Sequence, residues 1–424
     1  MPRELLPLRR LIVRFIIPVL VCCLTPAHRM SAQVSRVLTV ADSLDGAVGG
    51  VVVDGLGNIY AADFRDSVWR VTPDGRVTRY AHGFYGSSGN AIDSHGVIYQ
   101  ASFSGNYVSR IERTGEHQIF VGEGLSGPVG VAVGKDGELF VNNCRGNTVS
   151  RVSPEGQATR FAASPLFNCP NGLYAHSDGN LYVVNFSDGR MLRVDRSGTV
   201  TEFALIPGGG NGHIAFARGN FYVTAFQSHR IFKVSMDGEV ELAAGTGSPG
   251  ENDGAALEAT FIFPNGIAAS ATGDRLFVND FINRAPPTLD IPPAPRSSIR
   301  LIRLASISEL MVAGLQKEGI EGLVQAYEDF KADPSTTGLF TEIEVNGLGY
   351  SLMQRGQLET ATRVFELNAR DYPNSFNVFD SLAEALMTAG RNDDAIRNYE
   401  KSLAINPGNQ NAKDMIDKIR SGLD

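Results

Sequence analysis

Side chains able to do chemistry recur at matching points of a repeated unit in the first ~300 of the 424 residues. Asp63, Ser102, Asn143, Asn185, Ala225 and Asp280 each close a short apolar run. Gly50, Asn90, Gly130, Asn171, Asn211 with His213, and Asn265 open the runs that precede them. If both sets face one opening, amide and carboxylate oxygens converge there. Such a set could hold a hard divalent cation, Ca2+ foremost, or polarise a carbonyl or hydroxyl ligand. His213 is the one histidine among them, and a side chain whose ordinary pKa lies near neutrality suits a general base. Each of these residues taken singly also suits a structural role, because Asn and Asp at strand ends satisfy neighbouring backbone groups. His176 and His229 fall in or beside expected turns and read as surface residues. Cys144 follows Asn143 and Cys169 precedes Pro170, so the two can pair near the opening, whereas a catalytic thiol is not expected. There is no Ser-His-Asp order with a nucleophile elbow, no Walker loop and no zinc-binding helix motif. Gly208-Gly209-Gly210 reads as a flexible turn, since no helix follows to complete a phosphate cradle.

The elements that must position these residues are strands. A turn and a β-rich run recur as Gly57-Asn58-Ile59-Tyr60, Gly96-Val97-Ile98-Tyr99, Gly137-Glu138-Leu139-Phe140, Gly179-Asn180-Leu181-Tyr182, Gly219-Asn220-Phe221-Tyr222 and Gly273-Asp274-Arg275-Leu276-Phe277, about forty residues apart with one longer interval. An alternating strand and a second tight turn follow, as in Trp69-Arg70-Val71 with Asp74-Gly75 and Phe232-Lys233-Val234 with Asp237-Gly238. Period-two alternation between such turns predicts antiparallel hairpins, because Gly and Asn accept the positive φ that the turns need. Four short strands per unit, six times over, predict a six-bladed β-propeller, with the candidate residues around one mouth of its channel. Val37 to Ala41 is placed to complete the last blade, which ends near Ile299 to Leu304, and so to close the ring without an open edge.

Ala244-Gly245-Thr246-Gly247, Gly250, Asp253-Gly254, Ala259, Phe261, Pro264-Asn265-Gly266-Ile267-Ala268 and Leu276-Phe277-Val278-Asn279-Asp280 resemble an NHL repeat. Pro170-Asn171-Gly172-Leu173 with Leu181-Tyr182-Val183 resembles the senescence marker protein/gluconolactonase family, which shares the six-bladed fold. That resemblance implies a metal ligand at Asn171. Asn211 falls where the family has a ligating Asp, and the family's first ligand, a Glu, has no counterpart in Ala47-Val48-Gly49-Gly50. Asp63 or Asp280 would have to supply the carboxylate that lactone hydrolysis by a Lewis-acid metal requires. Related propeller lyases use a channel histidine as base, which singles out His213.

Beyond Pro286, Pro287, Pro292, Pro293 and Pro295, expected to form a loop inside the last blade, the periodicity becomes helical. Val345, Leu348, Gly349, Leu352, Gly356, Ala361, Phe365 and Pro373 align at a spacing of 34 with Phe379, Leu382, Ala383, Leu386, Gly390, Ala395, Tyr399 and Pro407. This resembles tetratricopeptide repeats, here 342–375 and 376–409. Capping helices are expected from about Ile307 to Ala332 and Asn411 to Ile419. Because about three such units normally bury a solenoid core, contact with the propeller is expected as well. The fold class is therefore mainly β plus α, with a propeller over 33–304 and a helical array over 305–424.

At the start, Arg3, Arg9, Arg10 and Arg14 precede an apolar run from Phe15 to Leu24 and the small residues Ser31 and Ala32. The run is about half of the ~20 residues a membrane span needs, so a cleaved signal ending at Ala32 is expected, with export to the periplasm or outside the cell. Cys22 and Cys23 follow residues that fit a lipoprotein site poorly. The formal charge of -8 offers no basic patch, which argues against nucleic acid as a partner. Two functions remain. One is recognition of a protein or peptide through the helical repeats, or of a ligand, in the cell envelope. The other is hydrolysis or elimination of a small sugar-like or lactone metabolite in the channel, with a divalent cation on Asn171, Asn211, Asp63 or Asp280 and His213 as base.

Overall fold

The computed structural model describes residues 34–282, 295–332, 336 and 341–422. The expected signal segment 1–32 and most of the Pro-rich stretch lie outside the described residues. Six sheets follow in chain order, and the first five each have four strands in sequence order. Inner strands Val51–Val53, Ser87–Ile92, Pro128–Val133, Pro170–Ala175, Asn211–Ala217 and Ile267–Ala269 open blades one to six. Their neighbours are Ile59–Ala62, Ile98–Ser102, Leu139–Asn143, Leu181–Asn185, Asn220–Ala225 and Arg275–Ile282.

Apolar side chains decide the layering. Leu139–Asn143 and Leu181–Asn185 are buried throughout, whereas the outermost strands Val77–His82, Ala158–Ala163 and Val200–Leu205 bury one residue in six. Blades therefore pack face to face near the axis, with water on the rim. The connecting turns need the left-handed backbone that Gly supplies cheaply, as at Gly57 (φ 83°), where the Asp54 carboxylate also accepts from the N–H groups of Leu56 and Asn58.

The ring closes as the residues predicted. Strand Val34–Asp45 pairs antiparallel with Arg296–Leu304, Val37 opposite Ile302 and Leu38 opposite Leu301, and so becomes the fourth strand of blade six. Asp253 secures it by accepting from the backbone N–H (2.9 Å) and hydroxyl (3.0 Å) of Thr39, and it also pairs with the fully buried Arg300 (2.8 Å). A charge as deeply buried as that of Arg300 needs such partners to be tolerated. Arg300 accordingly also donates to Asp280 and to the carbonyls of Thr260 and Asn252.

Six helices follow: α1 (Ile307–Ala332), α2 (Glu342–Gln354), α3 (Leu358–Asp371), α4 (Phe376–Thr388), α5 (Asn392–Ile405) and α6 (Gln410–Ser421). Helix α1 is broken at Glu318 and Gly319 (φ 70°), and its arms pack so closely that a Cβ on Gly314 would stand 2.2 Å from the carbonyl oxygen of Gly322. It is thus a third helical hairpin, where the sequence led us to expect one capping helix. Its buried Leu310, Gly314, Ala326 and Phe330 stand 35 residues ahead of Val345, Gly349, Ala361 and Phe365, one residue off the 34-residue spacing of the other two hairpins. Three hairpins bury one apolar core with Met311, Tyr327, Leu352, Leu386 and Tyr399. The helices join the propeller through Ala305, whose carbonyl accepts from Arg218 of blade five, and through an Arg303–Glu309 ion pair.

Candidate functional site: the channel mouth

Strand pairing defines equivalent positions in the six blades. Val51, Asn90, Val131, Leu173, Ile214 and Ile267 each face the residue two before the candidate position that ends the second strand. Counting back one residue gives Gly50, Gly89, Gly130, Gly172, His213 and Gly266. Five blades have glycine here because the inner strands touch: a Cβ would lie 2.1 Å from the Asn171 carbonyl oxygen at Gly130 and 2.3 Å from that of Gly49 at Gly266. Only blade five carries a side chain at this level. The His213 ring extends across the axis to blade two, where its Cε1 lies 2.8 Å from the site a Gly89 Cβ would take.

One residue further back are Gly49, Ser88, Val129, Asn171, Gly212 and Asn265, and with His213 they make a floor. Above it stand the residues one past Asp63, Ser102, Asn143, Asn185, Ala225 and Asp280: Phe64, Phe103, Cys144, Phe186, Phe226 and Phe281. This tier is a collar of five phenylalanines and one cysteine, the latter bonded to Cys169. Floor and collar enclose a cup of about 300 Å³. Phe64 and Phe103, and Phe186 and Phe226, stand 5.9 Å apart, while Phe263 bridges Phe226 (4.9 Å) to Phe281 (6.2 Å). Phe64 adopts φ 55° and remains 42% exposed. A bulky residue rarely sits in that region, and a ring of exposed aromatic carbon marks a binding surface more often than a neutral one.

The residues singled out in the sequence divide. Asn171, His213 and Asn265 line the cup. Asn211 does not: it pairs with Ala225 as Pro128 and Pro170 pair with Asn143 and Asn185, so it is equivalent to those prolines and stands one residue out of step with Asn171. Its side chain is fully buried and both amide atoms lack a partner among the described residues. Asp63 accepts from the N–H groups of Arg65 (2.8 Å) and Ser67 (3.0 Å) and from the Ser87 hydroxyl (2.8 Å). Asp280 accepts from Ser298, Ile262 and Arg300. Both carboxylates hold loops together behind the collar. Among the described residues, no group of three or more His, Cys, Asp or Glu side chains could hold a metal ion. The donor set that the described residues bring to the mouth, two amides and an imidazole with no free carboxylate among them, does not fit a resident divalent cation.

Several amides link blade to blade. Asn142 donates to the carbonyls of Asn171 (3.1 Å) and Gly172 (3.0 Å), Asn171 to that of Asn211 (3.0 Å), Asn265 to that of Val48 (2.9 Å) and Asn279 to that of Gly49 (3.0 Å). Each satisfies a backbone acceptor that the adjoining inner strand would otherwise leave buried and unpaired. His229 lies against Phe263, to whose N–H its Nδ1 is bonded, and burial lowers its pKa. His213 is enclosed, and burial alone pushes its pKa down to about 4, so the imidazole is neutral at neutral pH. Among the described residues its ring makes no hydrogen bond, and no charged side chain lines the cup.

The aromatic collar was absent from the expectations drawn from sequence. Its signal was present as a Phe directly after five of the six strand-end positions, but the alternation of a strand does not tell which end residue turns toward the axis.

In sequence the chain matches the virginiamycin B lyase family over residues 51–254, slightly under half of its length. No curated protein matches it. Among solved structures, a gluconolactonase from Xanthomonas campestris is 17% identical, with a TM-score of 0.51, over 66% of this chain and 93% of that one. A protein of unknown function from Bacteroides thetaiotaomicron is 16% identical, with a TM-score of 0.54, over 64% and 76%. A catalytically inactive virginiamycin B lyase from Staphylococcus aureus with quinupristin is 18% identical, with a TM-score of 0.45, over 61% and 80%. At these identities the gluconolactonase and Bacteroides structures establish the six-bladed fold and nothing finer.

Proposed function

We propose that this is an exported ligand-binding propeller whose channel mouth takes a small molecule with an apolar body and one hydrogen-bonding end. The observation that carries this is the collar of five Phe and a disulfide over a polar, uncharged floor. A cup of about 300 Å³ is at the small end of ligand sites, and predominantly apolar walls with a few convergent polar groups are what such sites use. The disulfide supports an oxidising compartment, in line with the basic and apolar start of the chain. The three helical hairpins would serve as a tetratricopeptide-like platform for a peptide partner. In support, Ser308, Glu309, Val312, Gln316, Glu344 and Ser351 line a groove of about 480 Å³ on α1 and α2.

A thermal-shift screen of small cyclic and aromatic compounds, followed by calorimetry, tests this. Hits should lose at least about tenfold in affinity in Phe226→Ala, since uncovering a largely apolar side chain removes more than 1.4 kcal/mol. Hits that bind Phe226→Ala unchanged would overturn the proposal.

A second reading is favoured by His213 specifically. A neutral, desolvated imidazole at the base of an apolar cup is equipped to take a proton, and the lyase family match covers the blade that carries it. Proton abstraction there would start an elimination on a bound ester or lactone, with Asn171 and Asn265 orienting the substrate. Virginiamycin B and simple lactones are the compounds to try, with His213→Gln as the control that must be inactive.

A further inference from the structure

Resting on the proposal that the mouth is a ligand site, we infer that the group inserted into it is an organic ammonium, a protonated primary or secondary amine on an apolar body. The hydrogen-bond polarity of the floor leads there. The amide NH2 of Asn171 donates to the carbonyl of Asn211, and that of Asn265 to the carbonyl of Val48. A carbonyl oxygen only accepts, so neither amide can be turned round; the Asn265 Oδ1 is buried against Gly212, which leaves the Oδ1 of Asn171, without a donor among the described residues, as the amide acceptor facing the cup. The Ser88 hydroxyl spends its proton on the carbonyl of Pro128 (3.0 Å). A neutral His213 adds one acceptor nitrogen and a single N–H. The floor thus offers two acceptors for N–H bonds, the Asn171 Oδ1 and one His213 nitrogen, and almost nothing for an anion to bind.

The walls agree in sign. The faces of phenylalanine rings attract cations, and the collar already holds one, the Arg145 guanidinium 4.3 Å from the centre of the Phe103 ring. No Lys or Arg among the described residues lines the cup. Directly behind Phe64, the Asp63 carboxylate is held by N–H and O–H groups and forms no ion pair among the described residues, and the whole chain carries a formal charge of -8. A carboxylate or phosphate would face acceptors and π clouds there. An alcohol could satisfy one acceptor. An ammonium with two or three N–H groups can satisfy the Oδ1 of Asn171 and the acceptor nitrogen of His213 together.

The test is calorimetric titration of the mature full chain with four probes that share one body: 4-phenylbutylamine, 4-phenylbutanol, 4-phenylbutyrate and 4-phenylbutyl-trimethylammonium. The amine should bind at least about tenfold more tightly than the alcohol, the difference of a charge-assisted hydrogen bond, and the carboxylate should not bind. Asn171→Leu should abolish the preference for amine over alcohol. Since Asn171 also links two blades, His213→Leu, which removes the other acceptor, is read alongside it, and either folded variant suffices. Alcohol or carboxylate binding as tightly as the amine would overturn the inference while leaving the ligand site standing. Equal binding of the trimethylammonium probe, which has no N–H, would overturn the acceptor floor. No binding by any of the four overturns it too, and the ligand site itself then stands or falls on the compound screen.

Discussion

Replacing His213 by Gln gives a quantitative test of how deeply this side chain is enclosed. Burial moves the folded-state pKa from an ordinary 6.5 to about 4. At pH 7 the imidazole is neutral in both folded and unfolded chains and contributes almost no pH dependence. As pH falls below 6.5 the unfolded chain takes up a proton that the folded chain refuses until about pH 4, so stability is lost through that window. Between pH 7 and pH 5 the loss is about 2 kcal/mol. For a propeller of this size that is roughly 4–8 °C in the unfolding midpoint. Asp280 works in the opposite direction. Burial raises its carboxyl to about 6 against the pull of Arg300, so the folded state binds its proton first and gains stability on acidification. The absolute pH profile therefore mixes several groups, His229 with its own lowered pKa among them, and the difference between wild type and His213→Gln isolates one. Trp69, the sole tryptophan, lies in the third strand of blade one, so its fluorescence follows the propeller and not the helices. Wild type should lose those additional degrees between pH 7 and pH 5. Parallel pH profiles for the two proteins would refute the enclosure of His213 and, with it, its neutrality as a base.

Other perturbations give equally definite outcomes. Asn142→Leu should destabilise the propeller by roughly 2–4 kcal/mol in thermal unfolding, because the carbonyls of Asn171 and Gly172 lose their only side-chain donor inside the blade interface. Gly130→Ala should cost about 1–3 kcal/mol or prevent folding, since the new methyl would lie 2.1 Å from the Asn171 carbonyl oxygen, a backbone atom that cannot step aside as a flexible side chain can. Opening the Cys144–Cys169 bond, which closes a loop of 25 residues, by Cys→Ser at both positions should cost about 3 kcal/mol at equilibrium and weaken any ligand that touches the collar. Millimolar Ca2+ should leave the wild-type unfolding midpoint unchanged within about 1 °C, because a ligand bound at a hundred times its Kd would contribute about 2.7 kcal/mol. A saturable calcium shift would restore the metal centre that the gluconolactonase resemblance implies.

Much of the architecture was legible in the residues for a simple reason. A blade is a local object whose turns demand Gly or Asn at fixed intervals, and six copies of the same demand leave a period that survives divergence elsewhere. Ring closure by the strand around Val37 to Ala41 and the helical hairpins from Glu342 onward followed in the same way. The first hairpin was missed because its aligned residues sit one place off the spacing and its turn falls at Glu318-Gly319, inside an otherwise unbroken helical pattern.

The site was legible only as a neighbourhood. Asn211-Gly212 and Asn171-Gly172 read alike in sequence, yet pairing with the second strand makes Asn211 the counterpart of Pro170 and puts His213 where other blades have glycine. Inner strands in blades two to five are bulged between the first pair and the rest, and a slip of one residue turns a side chain from the cup into the blade interface. Sequence alone thus determined the number of blades, the closure of the ring and the presence of amides, Asp and His near one mouth. Which of them face the cup, which bind backbone across blades, and the phenylalanine collar above them were decided by tertiary structure, because those outcomes depend on register and on close approach between strands some forty residues apart.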